Sequence, residues 1–583
     1  MARLLLVSEP NLHRSHDAYL PPSWCNLGTA QLAGYCRARG HVVSLYSFFP
    51  SLIEAAALAP RGRAWLLDRA SADAPTLSKM LAVRGRAWAD RRLEEVLAGC
   101  QRPAARDFLF GPNIAGLALL LKDVLILLER HIGDPEHPFL NHLVAAAKQF
   151  SPDWVGISLS RAGEPLVEAM IEGLAGLGLP VVVGGVAAER LPAAEEARLL
   201  DDLGARRIVR GPGEIPLAAL IEDRPDPGAS PEPEHPAEPA FDLLDLDRFY
   251  FPERVLPIRL SRGCYWKRCA YCRREVCGDD WQPYDAEGVA DSVLALSERF
   301  GVRAFSINDL AIPPRQARAF SRAILERQGG ESRLSFFGAA RPERVFTRAL
   351  LAGQMARAGF KVIFWGIESG SASVLRRMAK GSSPATAGRV LEDAHAAGIT
   401  NLCFFMAGFP GETEEDWQKT LEFWEEHHRA IAYNRVNPFV LEPGSLVFED
   451  PGRYGVELGA PGQHGDSVSY SVRSGLTPER ARALKVRLLD EKARGLRRID
   501  HGRLFEPPLL GDGDEKLPFF VAQRLLGARL LGQEDSDVAR ESLIALTPRA
   551  AALLEAAPPG PLSADRVREA TRGQRFLVLD AAG

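Results

Sequence analysis

The chain has 583 residues, of which 46% are hydrophobic and 25% charged, with a formal net charge of −4, the balance of a globular protein of about three or four domains. That charge gives no electrostatic reason for nucleic acid or an anionic membrane as the main partner. No apolar run reaches the roughly 18 residues of a membrane span, and the opening run Arg3-Leu4-Leu5-Leu6-Val7 is too short for a signal peptide. A cytoplasmic protein without a membrane span is expected.

The first part is expected over residues 1–222. Residues 3–7 read as a buried strand, 28–39 as a helix closed by Gly40, and 42–46 as the next strand. Strands are expected again at 153–159, 180–183 and 208–210, with a helix at 164–177. This alternation predicts an α/β, doubly wound, Rossmann-like parallel sheet, which binds ligands at the carboxyl ends of its strands. A helix-rich stretch at about 53–150 interrupts the alternation as an insertion. Residues 224–239 read RPDPGASPEPEHPAEP, too polar and proline-rich to pack a core, so 223–249 is expected to be a linker.

Residues 250–450 alternate strand and helix six times. Strands are expected at 257–261, 303–307, 334–339, 361–366, 401–406 and 434–440. Helices are expected at 287–300, 315–327, 347–359, 386–397 and 413–428, with Gly301, Gly359 and Gly398 where helices end. Six units fall short of a full eight-fold barrel and predict a partial one. Residues 451–583 are expected to be mainly helical, with helices at 476–493 and 550–556 and a terminal strand at 575–579.

Directly after the first barrel strand stands Ser261-Arg262-Gly263-Cys264-Tyr265-Trp266-Lys267-Arg268-Cys269-Ala270-Tyr271-Cys272. Three thiolates on one loop suffice for three irons of a four-iron cube and leave the fourth open to a ligand. Cys277 follows closely, so a structural zinc site is the alternative, although such sites usually pair two C-x2-C knuckles. Cys25, Cys36 and Cys100 are scattered and read as ordinary thiols. Eight cysteines so distributed do not form a disulfide framework.

The cysteine run resembles the cluster loop of the radical S-adenosylmethionine (SAM) enzymes, including an aromatic residue, Tyr271, before the last cysteine. It departs in its first interval, where four residues separate Cys264 from Cys269 and the family usually has three. The stretches Gly366-Ile367-Glu368-Ser369-Gly370-Ser371 and Ala407-Gly408-Phe409-Pro410-Gly411-Glu412-Thr413 resemble strand ends of the cobalamin-type members. The first part resembles the cobalamin-binding domain that precedes many radical SAM cores. That likeness lies in Pro152-Asp153-Trp154-Val155-Gly156-Ile157-Ser158, Gly184-Gly185 and Arg210-Gly211-Pro212-Gly213-Glu214. The D-x-H-x-x-G motif that gives cobalt a histidine in other cobalamin proteins is absent.

The resemblance implies a [4Fe-4S] cluster on Cys264, Cys269 and Cys272, with SAM chelating the open iron. It implies Asn308 and Asp309 near the SAM amine, Arg341 near its carboxylate, Glu368 and Ser369 near ribose or amine, and Tyr271 and Gly408 near adenine. Arg341 and Glu368 serve equally well as strand-end ion-pair partners. Cobalamin would meet Ser158, Ser160, Gly184, Gly185, Gly211 and Glu214. The implied reaction cleaves SAM reductively to a 5′-deoxyadenosyl radical and methylates an unactivated carbon of a small-molecule or peptide substrate. Electrons would come from a flavodoxin- or ferredoxin-type donor. Cyclisation or rearrangement with the same cofactors, and a non-catalytic sensor, are the alternatives.

Overall fold

The computed structural model describes residues 1–8, 25–98, 114–159, 163–225, 237–249, 254–273, 281–461 and 467–484. The chain divides into two units, one mainly Met1–Pro103 and Ala115–Pro257, the other mainly Ile258–Gly462 and Asp466–Gly583.

In the first unit, β1 (Arg3–Ser8), β2 (Val42–Ser47), β3 (Trp154–Ser158), β4 (Val181–Gly184) and β5 (Arg207–Ile208) form a parallel sheet in the order β2-β1-β3-β4-β5. Continuous apolar runs suit strands covered on both faces, and Leu4, Leu5, Leu6, Val7, Val155 and Val181 through Val183 are all buried. Helix Leu27–Ala38 begins at Asn26, whose side chain accepts from the Thr29 N–H at 3.1 Å, as an N-cap should. Between β2 and β3 the described residues are helical, from Phe48–Leu52 to Pro138–Phe150. In this strand order a ligand crevice opens at the carboxyl ends of β1 and β3. The loops leaving those strands, 9–24 and 160–162, lie outside the described residues.

The stretch expected to be a linker is partly folded. Residues 237–249 carry the helical turns Phe241–Leu243 and Leu246–Arg248, the Ala240 N–H donates to the Ala30 carbonyl at 2.9 Å, and Phe241 is fully buried. The apolar Ala240, Phe241 and Leu243 give this end a burial energy that the proline-rich end lacks.

The second unit holds β6 (Val255–Ile258), β7 (Ser261–Arg262), β8 (Gln282–Pro283), β9 (Ala304–Ile307), β10 (Ser335–Ala340), β11 (Phe360–Glu368), β12 (Thr400–Ala407) and β13 (Tyr433–Pro438). Its main sheet runs β13-β12-β11-β10-β9-β6, with the register parallel from β9 through β13. Helices Ala286–Phe300, Pro314–Arg327, Pro384–Ala396 and Glu414–Glu426 lie close to their expected positions. The helix expected at 347–359 is broken into short pieces meeting at Gly353, where glycine weakens helical continuity. On the helix-covered face of the sheet Phe336 meets Phe320 edge-on at 5.0 Å and Phe405 meets Phe423 at 6.2 Å. On the opposite face Phe364 and Phe404 stack at 6.0 Å. Alternation along each strand sorts the side chains this way.

The start of the region expected to be helical is instead a hairpin, β14 (Val456–Pro461) paired antiparallel with β15 (Val468–Val472). Val456, Val468, Tyr470 and Val472 pack against Phe409, Phe439 and Leu441, so the hairpin shares the barrel's core. Alternating apolar residues at 468, 470 and 472 carry the strand period that outweighs the helical reading. Residues 485–583, with the elements expected at 550–556 and 575–579, lie outside the described residues. Among the described residues no helix is long and apolar enough to cross a membrane.

Candidate active site

The cysteine loop is fastened at both ends. At its start the buried Asp309, just past β9, accepts from the Leu260 N–H at 2.8 Å and from the Ser261 hydroxyl at 2.6 Å. Burial raises the Asp309 carboxyl to about 6 against those two bonds. At its far end the buried Ala270 donates its N–H to the Met378 carbonyl at 2.9 Å and accepts from the Val447 N–H at 3.1 Å. Between these anchors the three cysteines are half-buried and form no disulfide. Cys277 lies outside the described residues.

Around the thiols stands a group of charged and aromatic side chains from three strand ends. Arg341, after β10, is buried; its Nη1 points at the Cys269 sulfur at 3.7 Å, its Nη2 donates to the Lys380 carbonyl, and its Nε reaches Glu343 at 3.3 Å. Its guanidinium lies 4.0 Å from the centre of the Trp266 ring. The Trp266 indole N–H donates to the Ala379 carbonyl at 2.9 Å. Gly381 lies beneath that ring with φ +72, and a Cβ there would sit 1.9 Å from an indole carbon. The close approach therefore requires glycine.

Lys380 is buried, and its Nζ donates to Glu368 at 2.9 Å and to the Tyr271 hydroxyl at 3.0 Å. Tyr271 donates its own proton to Glu368 at 3.0 Å. Burial opposes the Lys380 charge, but Glu368 and Cys269 outweigh it and raise its pKa. A hydrogen bond from Cys272 and then the charges of Lys380 and Arg341 lower the Cys269 thiol to about 6, against its burial. Glu368 closes a bulge in β11 and adopts φ +68, a conformation rare for a side chain larger than asparagine.

Of the SAM-site residues expected from sequence, Tyr271, Arg341 and Glu368 converge beside the thiols. Asn308 is exposed at the end of β9, its side-chain oxygen accepting from Ser306 at 2.8 Å. Asp309 is committed to the base of the cysteine loop. Ser369 is fully buried and bonded to Thr420 at 3.1 Å, away from Glu368. Gly408 donates its N–H to Glu412. Glu412 is itself fully buried with Oε1 unbonded, and burial raises its carboxyl to about 8.

Sequence reasoning assigned no role to Lys380, Trp266, Glu343 or Glu412. Lys380 and Glu412 stood inside runs read only for their resemblance, and both lie near other charged residues in the chain, Arg376-Arg377 and Glu414-Glu415-Asp416, so nothing local set them apart.

In the first unit the expected ligand residues share the carboxyl edge of the sheet. Ser158 ends β3, Gly184 ends β4, and Gly211 and Glu214 follow β5. Gly185 has φ +99, and a Cβ there would come within 2.7 Å of Leu159 backbone atoms. Ser160 lies outside the described residues.

Residues 258–423, which carry the cysteine loop and the strands around it, match the sequence model of the radical SAM superfamily. An uncharacterized methyltransferase of Pyrococcus horikoshii is 25% identical over 332 residues, 52% of this chain and 70% of the relative. Among solved structures, the cobalamin-dependent S-adenosylmethionine radical enzyme OxsB superposes with a TM-score of 0.56 at 14% identity, covering 91% of this chain and 72% of that one. The radical S-adenosylmethionine methyltransferase TsrM from Kitasatospora setae gives 0.53 at 16% identity, covering 89% and 94%. At these identities the solved structures establish a shared fold.

Proposed function

We propose that the chain is a cobalamin-dependent radical SAM methyltransferase acting on carbon in a small-molecule or peptide substrate. The observation that carries this is the three-thiol loop at the end of the first barrel strand, ringed by Arg341, Lys380 and Glu368. Three soft thiolates, one with its pKa lowered to about 6, suit an iron–sulfur cluster. The buried cations supply charge compensation for its anionic sulfurs.

Cys264, Cys269 and Cys272 would hold the [4Fe-4S] cluster, and Ser158, Gly184, Gly185, Gly211 and Glu214 would line the cobalamin. When bound, the cluster and SAM supply one-electron cleavage of a carbon–sulfur bond, and cobalamin supplies a transferable methyl group. The chain's own part is to bind and orient. Glu368, fixed by Lys380 and Tyr271, offers an acceptor to ribose hydroxyls or the SAM amine. Asn308, exposed at the end of β9, keeps a second lone pair on the side-chain oxygen that accepts from Ser306, and this would meet the amine. Phe364 and Phe404, stacked on the sheet face opposite the helices, would give a bound substrate an apolar surface. A flavodoxin- or ferredoxin-type protein would deliver the electron. The likeness to OxsB and TsrM, named respectively as cobalamin-dependent and as a methyltransferase, supports both cofactors.

The test is an anaerobic reaction with reconstituted protein, reductant, cobalamin and SAM over a substrate panel. The proposal expects 5′-deoxyadenosine and S-adenosylhomocysteine, with one methylene of mass added to a substrate. 5′-Deoxyadenosine with an isomeric or cyclised product would favour rearrangement chemistry. Neither nucleoside, from protein carrying an intact cluster, cobalamin and a binding substrate, would refute the reading.

A further inference from the structure

Arg341 was expected to meet the SAM carboxylate, yet its three nitrogens are already engaged. Nη1 faces the Cys269 sulfur at 3.7 Å, Nη2 holds the Lys380 carbonyl, and Nε holds Glu343. Trp266 covers the guanidinium at 4.0 Å and is itself pinned by its bond to Ala379 and by Gly381 beneath it. Only 4% of the Arg341 side chain is exposed, whereas Glu343, whose Oε1 also accepts from Tyr265, is 28% exposed. The positive charge is thus the drier member of the pair and the one turned to the sulfur.

We infer that Arg341 is a positioning residue for the cluster, a fixed guanidinium that donates to the Cys269 sulfur and raises the cluster's reduction potential. This rests on the cluster reading above. Reduction adds one electron to the iron–sulfur core, and a buried cation beside a ligand sulfur favours the more negative state. Hydrogen bonds to cluster sulfurs act in the same direction. Glu343 works oppositely: its carboxylate partly cancels the guanidinium, so neutralising it leaves more of the Arg341 field at the cluster. Arginine suits the place because one planar fork reaches a sulfur, a carbonyl and a carboxylate while stacking on indole, which a lysine cannot do.

The experiment is a redox titration, read by electron paramagnetic resonance, on reconstituted full-length wild type, Arg341→Met, Arg341→Lys and Glu343→Gln. Iron and sulfide content and the absorption spectrum of wild type are measured first; absence of a cluster there fails the underlying reading and not this one. With clusters loaded, Arg341→Met is expected at a more negative potential than wild type, Arg341→Lys between the two, and Glu343→Gln at a more positive potential. Disturbing the loop alone would move both neutralising variants the same way. Potentials that are unchanged, or shifted in one direction for both, overturn the inference. If Arg341→Met takes up no iron, Glu343→Gln decides: a positive shift supports the inference, and a wild-type or more negative potential overturns it.

Discussion

Substituting Gly381 with alanine tests how the cysteine loop is held. Two costs add at this position. The left-handed conformation, φ +72, penalises any Cβ by about 1–2 kcal/mol. The new Cβ would also sit 1.9 Å from the Trp266 ring, and such overpacking costs about 1–3 kcal/mol. Gly398 provides the control within the same unit: its φ is +89, but nothing lies within 4 Å of its Cβ position. Gly398→Ala is therefore expected to cost about 1 kcal/mol and Gly381→Ala about 3 kcal/mol. Denaturant unfolding of the apo variants reads the difference as separate midpoints at equal slope. Displacing Trp266 also removes the cover from Arg341, so Gly381→Ala is expected to retain less iron after reconstitution, while Gly398→Ala keeps the wild-type amount. Equal costs and equal iron for the two variants would refute the argument that glycine is required by the indole.

Three further outcomes follow from the same geometry. Glu412 titrates near 8 in the folded chain against 4.5 when free, so the folded state holds the extra proton between those values. Stability should fall as pH rises across that window and level off above about 8; Glu412→Gln should flatten that fall in pH-dependent melting curves. Ser369→Ala loses the Thr420 bond and the one from the Ser371 N–H, costing about 2 kcal/mol, and should leave SAM affinity unchanged, whereas Glu368→Gln should weaken SAM binding by about tenfold or more in calorimetry. Lys380→Met leaves Glu368 without its buried cation, for which about 3 kcal/mol of stability is the expected loss in the same denaturant experiment.

Most of the barrel was legible because its signals are local. Apolar runs ended by glycine mark each strand and helix, and three cysteines in nine residues mark the loop. What escaped depends on distant partners or on side-chain direction. Asp309 looked available to a ligand, but its carboxylate is spent on Ser261 and Leu260, 48 and 49 residues away. Glu368 and Ser369 were assigned together, yet neighbours at a strand end point to opposite sides. Glu368 joins Lys380, and Ser369 is buried against Thr420. Arg341 was assigned to the SAM carboxylate, but the ring that fixes its direction, Trp266, comes from a loop 75 positions earlier. The hairpin after residue 455 was hidden because each of its strands is short and its partner is the barrel's own core.

The central claim is that three thiolates hold a cluster with one iron left open to SAM. The most direct measurement is the electron paramagnetic resonance spectrum of the reduced, reconstituted protein before and after SAM is added. The account predicts about four irons per chain, lost on Cys272→Ala, and a spectrum that changes when SAM binds. Zinc in place of iron, or a four-iron spectrum indifferent to saturating SAM, would contradict it.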